Sequence, residues 1–254
     1  MSPAAQRPFA APRNDAGSDS VWREVHARAC APYRATSTFD WYFARGKLGH
    51  DPVFRSLLES GDLRGARVVD IGCGRGLLAS LLQSCSDMHR TGRWPAAWHE
   101  APAVSAYTGI DLMQRDLRSA ERALGSLALA PRFVCGDMRS TALPACELVV
   151  LLDVLHYVDH AAQLGVLAQV RSALQPQGRL LLRVGDSSQR RAFGFSHWVD
   201  TAVTLLRRRS APPRSGRSIA EWTALLHGLG FGVRSVPMSA GTPFANVLLV
   251  ADLR

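Results

Sequence analysis

The 254-residue chain contains a single lysine, Lys47, although it carries 30 basic residues in all. The others are arginines, and the 21 acidic residues leave a formal net charge of +9. So strong a preference for arginine is typical of GC-rich coding, which makes the net charge weak evidence for nucleic-acid binding. Its distribution is more informative, because the segment 187–217 holds seven arginines against one acid, Asp200.

Paired cysteines and long apolar runs are also absent. The five cysteines, at positions 30, 73, 85, 135 and 146, form no Cys-x-x-Cys motif. We therefore expect reduced thiols, no disulfide framework and no metal site. The best apolar run, 146–158, is interrupted by Asp153 and is shorter than the ~20 residues of a membrane span. The N-terminus lacks a continuous apolar core, so the sequence predicts a cytoplasmic protein.

Composition divides the chain into three parts. Residues 1–20 are rich in Ala, Pro, Ser and Asp and are predicted to be a disordered tail. Residues 21–64 have helical patterns with an aromatic cluster at 39–47 and are predicted to form an N-terminal helical cap. Residues 65–252 alternate strand and helix and form the main domain, with insertions at 86–106 and 186–217.

The alternation predicts an α/β fold of the Rossmann-like kind: a seven-stranded, mostly parallel sheet with a C-terminal antiparallel hairpin and helices on both faces. The predicted strands are 67–71, 107–111, 131–135, 147–152, 179–184, 231–238 and 244–252. The predicted helices after the cap are 75–85, 114–125, 160–174 and 218–229. Ligands of such a sheet lie at the carboxyl ends of its strands.

The most informative motif follows the first strand. Asp70 precedes Gly72, Cys73, Gly74 and Gly76, and a helix begins directly afterwards. Glycines at this spacing allow a tight turn and a close approach to a ligand, and the helix presents free N–H groups. A carboxylate at this turn favours a cationic cofactor over a diphosphate.

Asp-x-Gly-x-Gly-x-Gly resembles motif I of the class I S-adenosylmethionine-dependent methyltransferases. The resemblance implies S-adenosylmethionine as the cofactor, bound by Asp70 and the loop 72–76, with a nicotinamide dinucleotide as the alternative. The spacing from Gly76 to Asp111 is 35 residues, which exceeds the ~20 expected between a glycine loop and a ribose-binding acid. The excess lies in the insertion 86–106, which is either a surface loop or part of a substrate wall.

Two later strand ends extend the resemblance. Asp111, followed by Leu112, ends the second strand, where a carboxylate accepts hydrogen bonds from both ribose hydroxyls; Asp111 alternatively caps the next helix. In the resembled family, an acid after the third strand contacts the adenine amino group and an apolar neighbour covers the ring. Asp137 and Met138 match these positions, although Gly-Asp is also an ordinary turn.

The fourth strand ends in Asp153-Val154-Leu155-His156, which resembles motif IV of small-molecule methyltransferases. The family places Asp153 and Val154 beside the methionine part of the cofactor. His156 is the candidate general base, since histidine titrates near neutral pH. The alternative is a histidine that packs against the cofactor and moves no proton.

Two segments are expected to shape the acceptor site: the aromatic segment 39–47 and the insertion 186–217. Candidate substrate residues are Arg45, Lys47, Phe193 and Trp198, which suit an acceptor with an apolar body and an anionic group. Arg45 and Lys47 alternatively bind the cofactor carboxylate or belong to a solvated basic face.

The predicted function is S-adenosylmethionine-dependent methyl transfer to an oxygen of a small aromatic or acyl acceptor, free or bound to a carrier protein. Several stretches look like bacterial methyltransferases associated with aryl-polyene or fatty-acid-like biosynthesis. The alternatives are an RNA-directed methyltransferase, which the basic charge favours, and an NAD(P)-dependent oxidoreductase. The usual base-methylation motifs are absent, so nucleic acid is the less favoured partner.

Overall fold

The computed structural model describes residues 16–185, 215–239 and 246–254. Its N-terminal part consists of α1 (Ala16–Cys30), a 3-10 helix (Ala31–Ala35), α2 (Thr38–His50) and α3 (Pro52–Glu59). Ser37 caps α2 by accepting the Asp40 amide, and Asp51 caps α3 by accepting the Val53 amide. These are the residue types that satisfy free N–H groups at a helix start.

Helix α1 begins at Ala16, so the predicted disordered tail is too long by five residues at its C-terminal end. Two side chains of this first turn are held by α3. Asp19 forms an ion pair with Arg55 at 2.7 Å, and the Ser18 hydroxyl donates to Glu59 at 3.0 Å. Such long-range contacts order a segment whose composition alone favours disorder.

The seven strands form one sheet in the order β3-β2-β1-β4-β5-β7-β6. Their bounds are β1 Arg67–Ile71, β2 Ala106–Asp111, β3 Arg132–Cys135, β4 Cys146–Leu152, β5 Leu174–Gly185, β6 Phe231–Pro237 and β7 Asn246–Leu253. Strands β1 to β5 pair in parallel, whereas β7 pairs antiparallel with both β5 and β6. The predicted fold class is confirmed, including the C-terminal hairpin.

Within the described residues, the strands are connected by the helices α4 (Leu77–Arg90), α5 (Gln114–Leu124), α6 (His160–Ala173) and α7 (Ile219–Gly228). Helix α7 opens with a capping box in which Ser218 and Glu221 satisfy each other's backbone amides. Within the three described ranges, no helix is both long enough and apolar enough to cross a membrane.

The sheet separates two hydrophobic cores. Val68, Val150 and Leu181 face the core that α1 to α4 cover, whereas Val69 and Leu182 face the core that α6 and α7 cover. This alternation is the period of two expected of strands buried on both faces. The N-terminal helices therefore share a continuous core with the sheet.

Two boundaries differ from the sequence prediction. Strand β5 begins at Leu174 rather than at residue 179, and its register with β4 shifts between Cys146 and Leu148. Gln177 adopts φ 63° in this stretch, a left-handed conformation that glycine adopts more readily. Helix α4 continues to Arg90, so it absorbs the first part of the 86–106 insertion.

The remainder of that insertion lies at the amino end of the sheet, where β2 begins. Trp94 and Trp98 pack edge to face at 5.4 Å, and the Trp98 indole donates to the Ser18 hydroxyl at 3.2 Å. Ser105 donates its amide to the Ala66 carbonyl just before β1. This part of the insertion is therefore a loop that packs on α1, at the amino edge of the sheet, whereas the glycine loop lies at the carboxyl edge.

Candidate functional site

The glycine loop after β1 has the tight geometry that its sequence predicts. Gly72, Gly74 and Gly76 adopt φ values of 80°, 53° and 70°, in the region that favours glycine. A Cβ on Gly72 would overlap the Val154 side chain, whereas a Cβ on Gly74 would meet no atom within 4 Å. The loop is thus packed on the Val154 side and open at Gly74, where a ligand can approach the backbone.

Asp111 lies beside this open side of the loop. Its two carboxylate oxygens accept the amides of Gly74 at 2.9 Å and Met113 at 2.7 Å. Each oxygen has a second lone pair, so the half-buried carboxylate can still accept hydroxyl donors. Leu112 remains 51% exposed. A carboxylate next to open backbone and an exposed apolar side chain fits a ribose and its attached base.

Asp70 lies beneath the loop and is buried. Its carboxylate accepts the Tyr107 hydroxyl at 2.6 Å. The pKa of Asp70 is raised to about 7, because the effects of burial and of the nearby Asp111 together outweigh the Tyr107 hydrogen bond, which lowers it. The neighbouring Cys73 is also buried, and burial raises the pKa of its thiol well above the usual range, so Cys73 is not a thiolate.

The acid after β3 is held locally. Asp137 accepts the Arg139 amide at 2.9 Å and its guanidinium at 2.5–3.0 Å. This pairing with Arg139 holds the pKa of Asp137 below its usual value. The preceding Gly136 donates its amide to the Asp111 carbonyl at 3.0 Å, which keeps the turn next to Asp111. Met138 packs against the core that α6 and α7 cover.

At the end of β4, Asp153 adopts φ 59°, a conformation that costs free energy for a non-glycine residue. Its carboxylate binds the guanidinium of Arg183, with Nε donating at 2.9 Å. The other edge of that guanidinium binds Asp51, with Nη2 donating at 2.7 Å. Arg183 is only 2% exposed, and its pairing holds the pKa of Asp51 well below the usual range. Lys47 also donates to Asp51, at 2.7 Å.

His156 lies in the short 3-10 helix Leu155–Tyr157 that follows this turn. It is half-buried, and its ring lies 4.3 Å from that of Tyr157, centroid to centroid. Its carbonyl accepts the amide of Ser215 at 3.4 Å. Gln163 in turn donates to the Ser215 carbonyl at 2.7 Å. His156 is thus placed between the strand end and the point at which the chain returns toward α7.

The N-terminal helices are fixed to the glycine loop through a second buried arginine. Arg75, within the loop, forms an ion pair with Asp40 of α2 and donates to Asp116 of α5 at 3.1 and 3.2 Å. Ser119 donates to the second Asp40 oxygen at 2.6 Å. Tyr33 donates to the Arg75 carbonyl at 2.8 Å. The conformation of the loop therefore depends on contacts with the cap.

Helix α2 consequently runs along the carboxyl edge of the sheet. One end is anchored at the glycine loop through Asp40, and the other at β5 through Asp51. Of the two predicted substrate residues on it, Lys47 lies beside Asp51, which Arg183 links to Asp153. Arg45 lies elsewhere: its guanidinium is 4.9 Å from the Trp41 ring, and its carbonyl bonds to His26. The other two, Phe193 and Trp198, lie outside the described residues.

The structure thus places the ends of β1 to β4 together and adds residues that sequence reasoning missed. The missed residues are Asp40, Asp51, Arg75, Asp116 and Arg183. Only the Asp51-Pro52 pair carried a local signal, that of a helix start. Among the residues that the structure describes, no three His, Cys, Asp or Glu side chains cluster as metal ligands would.

Comparison with solved structures places the fold among methyltransferases. An O-methyltransferase family protein from Burkholderia thailandensis is similar over 87% of this chain and 61% of its own, with 18% identity and a TM-score of 0.59. Magnesium protoporphyrin IX methyltransferase from Synechocystis PCC 6803 with bound SAH is similar over 94% of this chain and 95% of its own, with 17% identity and a TM-score of 0.56.

Among curated proteins, 3-amino-4-hydroxybenzoate 4-O-methyltransferase from Streptomyces cremeus is 31% identical over 142 residues. The alignment covers 55% of this chain but only 34% of that relative. A family model described as a methyltransferase domain matches residues 41–236. That match spans well over half of the chain, from α2 to β6, and the chain therefore belongs to the methyltransferase domain family.

Proposed function

We propose that the chain binds S-adenosylmethionine at the glycine loop and transfers its methyl group to an oxygen of a small acceptor. The observation that carries the proposal is the pairing of an open Gly74 with the Asp111 carboxylate. An adenosyl group needs such a ribose acceptor, and the buried Asp70 carboxyl beneath the loop suits a sulfonium better than a diphosphate. The Synechocystis neighbour, whose structure contains bound SAH, supports this choice.

The cofactor supplies a methyl group that its sulfonium already activates. The remaining work is to hold the acceptor in line and to exclude water, and orientation alone can supply roughly 7–11 kcal/mol of the barrier. In this proposal Val154 and Asp153 border the reacting end of the cofactor, Asp137 and Met138 border its adenine, and His156 is close to the acceptor. Asp70 acts from beneath the loop through its charge.

The acceptor in this proposal is a small aromatic or acyl acid, free or carried on a protein. The curated relative is named for methylating a hydroxyl of an aminobenzoate, which supports an oxygen atom and an aromatic acid. The resemblance to the aryl-polyene subgroup supports the acyl alternative and the carrier. We expect the protein to act in the cytoplasm.

Two measurements test the proposal. Calorimetry compares S-adenosylmethionine, SAH and NADP as ligands, and we expect the first two to bind and the third not to. Transfer of labelled methyl is then followed to aromatic acids, phenols, carrier-bound acyl groups and RNA. Uptake of NADP alone would refute the cofactor, and labelling of RNA alone, with steep salt dependence, would refute the small acceptor.

A further inference from the structure

One row of side chains on α2 follows the carboxyl edge of the sheet. Phe39, Phe43 and Lys47 are spaced at i, i+4 and i+8, which places them on one face of the helix. The anchors Asp40 and Asp51 lie at the two ends of this row. We call Phe39, Phe43 and Lys47 the cleft row.

Contacts fix both ends of the cleft row next to the site. The Phe39 and Phe43 rings lie 4.8 and 5.0 Å from the guanidinium of Arg75 in the glycine loop. The two rings also stack on each other, at 6.3 Å and an interplanar angle of 19°. At the other end, Lys47 donates to Asp51, which Arg183 links to Asp153. The row therefore joins the cofactor loop to the β4 turn.

The two phenylalanines of the row are exposed, although large apolar side chains are usually buried. Within the described residues, the exposed large hydrophobic side chains are Phe39, Tyr42, Phe43, Leu112 and Leu164. Three of these five belong to α2, and Leu112 lies at the same edge of the sheet, after Asp111. A cluster of exposed apolar groups beside a site is typical of a surface that a ligand covers.

The charges at the Lys47 end favour an anionic ligand group. Asp51 and Arg183 are buried and bind each other, so they are not available to a ligand. The Lys47 side chain is 42% exposed, and an ammonium has three donors, of which Asp51 takes one. The exposure leaves room for a ligand group to accept from the remaining donors. Arg45 packs on Trp41 instead.

We infer that the cleft row recognises the acceptor, and that the acceptor is a planar aromatic ring carrying a carboxylate. Its ring packs on Phe39 and Phe43, and its carboxylate accepts from the Lys47 ammonium. An aromatic pair and a cation about one helical turn apart match the two ends of such a molecule. This inference rests on the proposed function and specifies the acceptor of the same site.

Because Lys47 is the only lysine, reductive methylation of the unmodified protein reports on one side chain, with the α-amino group as internal reference. We expect 4-hydroxybenzoate, added with SAH, to slow Lys47 labelling by about fivefold or more, and 4-hydroxybenzamide to slow it by less than about twofold. Equal labelling with both, or no effect of the acid, overturns the inference. Full protection by SAH alone also overturns it, since Lys47 would then bind the cofactor carboxylate.

Kinetics of variants give an independent test. Lys47→Gln should raise the KM for 4-hydroxybenzoate by roughly tenfold, with kcat and the KM for the amide little changed, and Lys47→Arg should recover most of the loss. The double variant Phe39→Ala/Phe43→Ala should raise the KM for both compounds. The control is Leu164→Ala on α6, an apolar side chain whose exposure lies between those of Phe39 and Phe43, and it should raise neither.

The two levels of proposal fail differently. If the unmodified protein does not bind S-adenosylmethionine, the proposed function is refuted. If the unmodified protein binds the cofactor, but neither Lys47→Gln nor the double variant changes the KM for the acceptor, only the role of the cleft row is refuted. Melting curves of each variant confirm that the fold is retained before kinetics are compared.

Discussion

Strand β5 carries two buried arginines on the same face, one in its middle and one near its carboxyl end, and each joins two carboxylates. Arg183, at the carboxyl end, joins Asp51 to Asp153. Arg179, four residues earlier, joins Asp62 to Asp252 with distances of 2.8 and 2.7 Å. Both arginines tie the N-terminal helices to the sheet, since Asp51 begins α3 and Asp62 follows it.

Only the location of the two arginines separates their roles. The Asp153 that Arg183 holds is the left-handed residue that leads to Val154 and His156, whereas the Asp252 that Arg179 holds is half-exposed and distant from the glycine loop. The same device therefore stabilises the fold at one edge and, at the other, also fixes a turn of the site. The residue type does not reveal which role each arginine has, whereas its position along β5 does.

Replacing each arginine by methionine gives the largest expected effect. Arg183→Met leaves two carboxylates without their buried partner and should lower the free energy of unfolding by about 3–5 kcal/mol. Arg179→Met should cost less, about 1–3 kcal/mol, because Arg234 still pairs with Asp62. Urea unfolding measures both losses.

The kcat of the folded fraction of each variant separates the roles of the two arginines. We expect Arg183→Met to lower kcat, because Asp153 and the following turn lose their support, and Arg179→Met to leave kcat unchanged. Equal effects of the two variants on kcat would show that Arg183 has a purely structural role.

The next effect concerns the candidate base in the turn that Arg183 supports. If the acceptor atom is a hydroxyl, His156→Ala should slow turnover by ~100-fold or more, because general-base catalysis is lost. If the acceptor atom is a carboxylate, already deprotonated, the variant should keep most of its rate. Single-turnover rates with a phenol and with its benzoate analogue distinguish the two; a normal rate on the phenol removes His156 as a base.

Asp111 tests the other half of the site. Asp111→Ala should weaken S-adenosylmethionine binding by roughly 1.5–3 kcal/mol, since hydrogen bonds to a charged acceptor are lost. The same substitution also frees the Gly74 and Met113 amides, so calorimetry with adenosine and with methionine locates the loss. An unchanged cofactor affinity would exclude the ribose role.

The smallest expected effect is a dependence on pH from Asp70. Its pKa of about 7 means that the carboxyl is neutral below that pH and ionised above it. An ionised group favours a sulfonium over a neutral thioether, so the preference for S-adenosylmethionine over SAH should rise by several-fold, up to about tenfold, as the pH passes upward through 7. Asp70→Asn, of the same shape, should abolish this dependence in calorimetry at pH 6 and 8.

The same group has a predictable effect on stability. Its folded-state pKa is raised, so between about pH 4 and 7 the folded protein binds more protons than the unfolded chain. The free energy of unfolding should therefore fall as the pH rises through that window and level off above 7. Subtracting the curve of Asp70→Asn isolates this contribution from those of the other carboxyl groups, and a difference that does not fall over this window would contradict the burial of Asp70.

Local patterns predicted the fold and one half of the candidate site. The alternation of strands and helices along the chain and the terminal hairpin follow from apolar periodicity and short connections, and the glycine spacing predicted the tight loop. These features depend on neighbours in sequence. The family resemblance then indicated Asp111, Asp137 and Asp153, whose positions at strand ends follow from the topology.

The remaining features depend on long-range pairs. Asp51 and Arg183 are 132 residues apart, and no local pattern marks either as the partner of the other. Asp70 was predicted to bind the cofactor, but its carboxylate accepts the hydroxyl of Tyr107. Tyr107 lies on β2 opposite Val68 of β1, and its side chain extends to Asp70, two residues further along β1. The sequence predicted both strands, but it could not predict the hydrogen bond that Tyr107 forms between them.

The anchoring of α2 has a consequence for biosynthesis. The ribosome releases the N-terminal helices first, yet the arginine that secures the far end of α2 is made 132 residues after Asp51. Of the two anchors of α2, the Arg75 contact, 35 residues along the chain, can form before that residue emerges. The second anchor is therefore a late event of synthesis, completed when β5 joins the sheet.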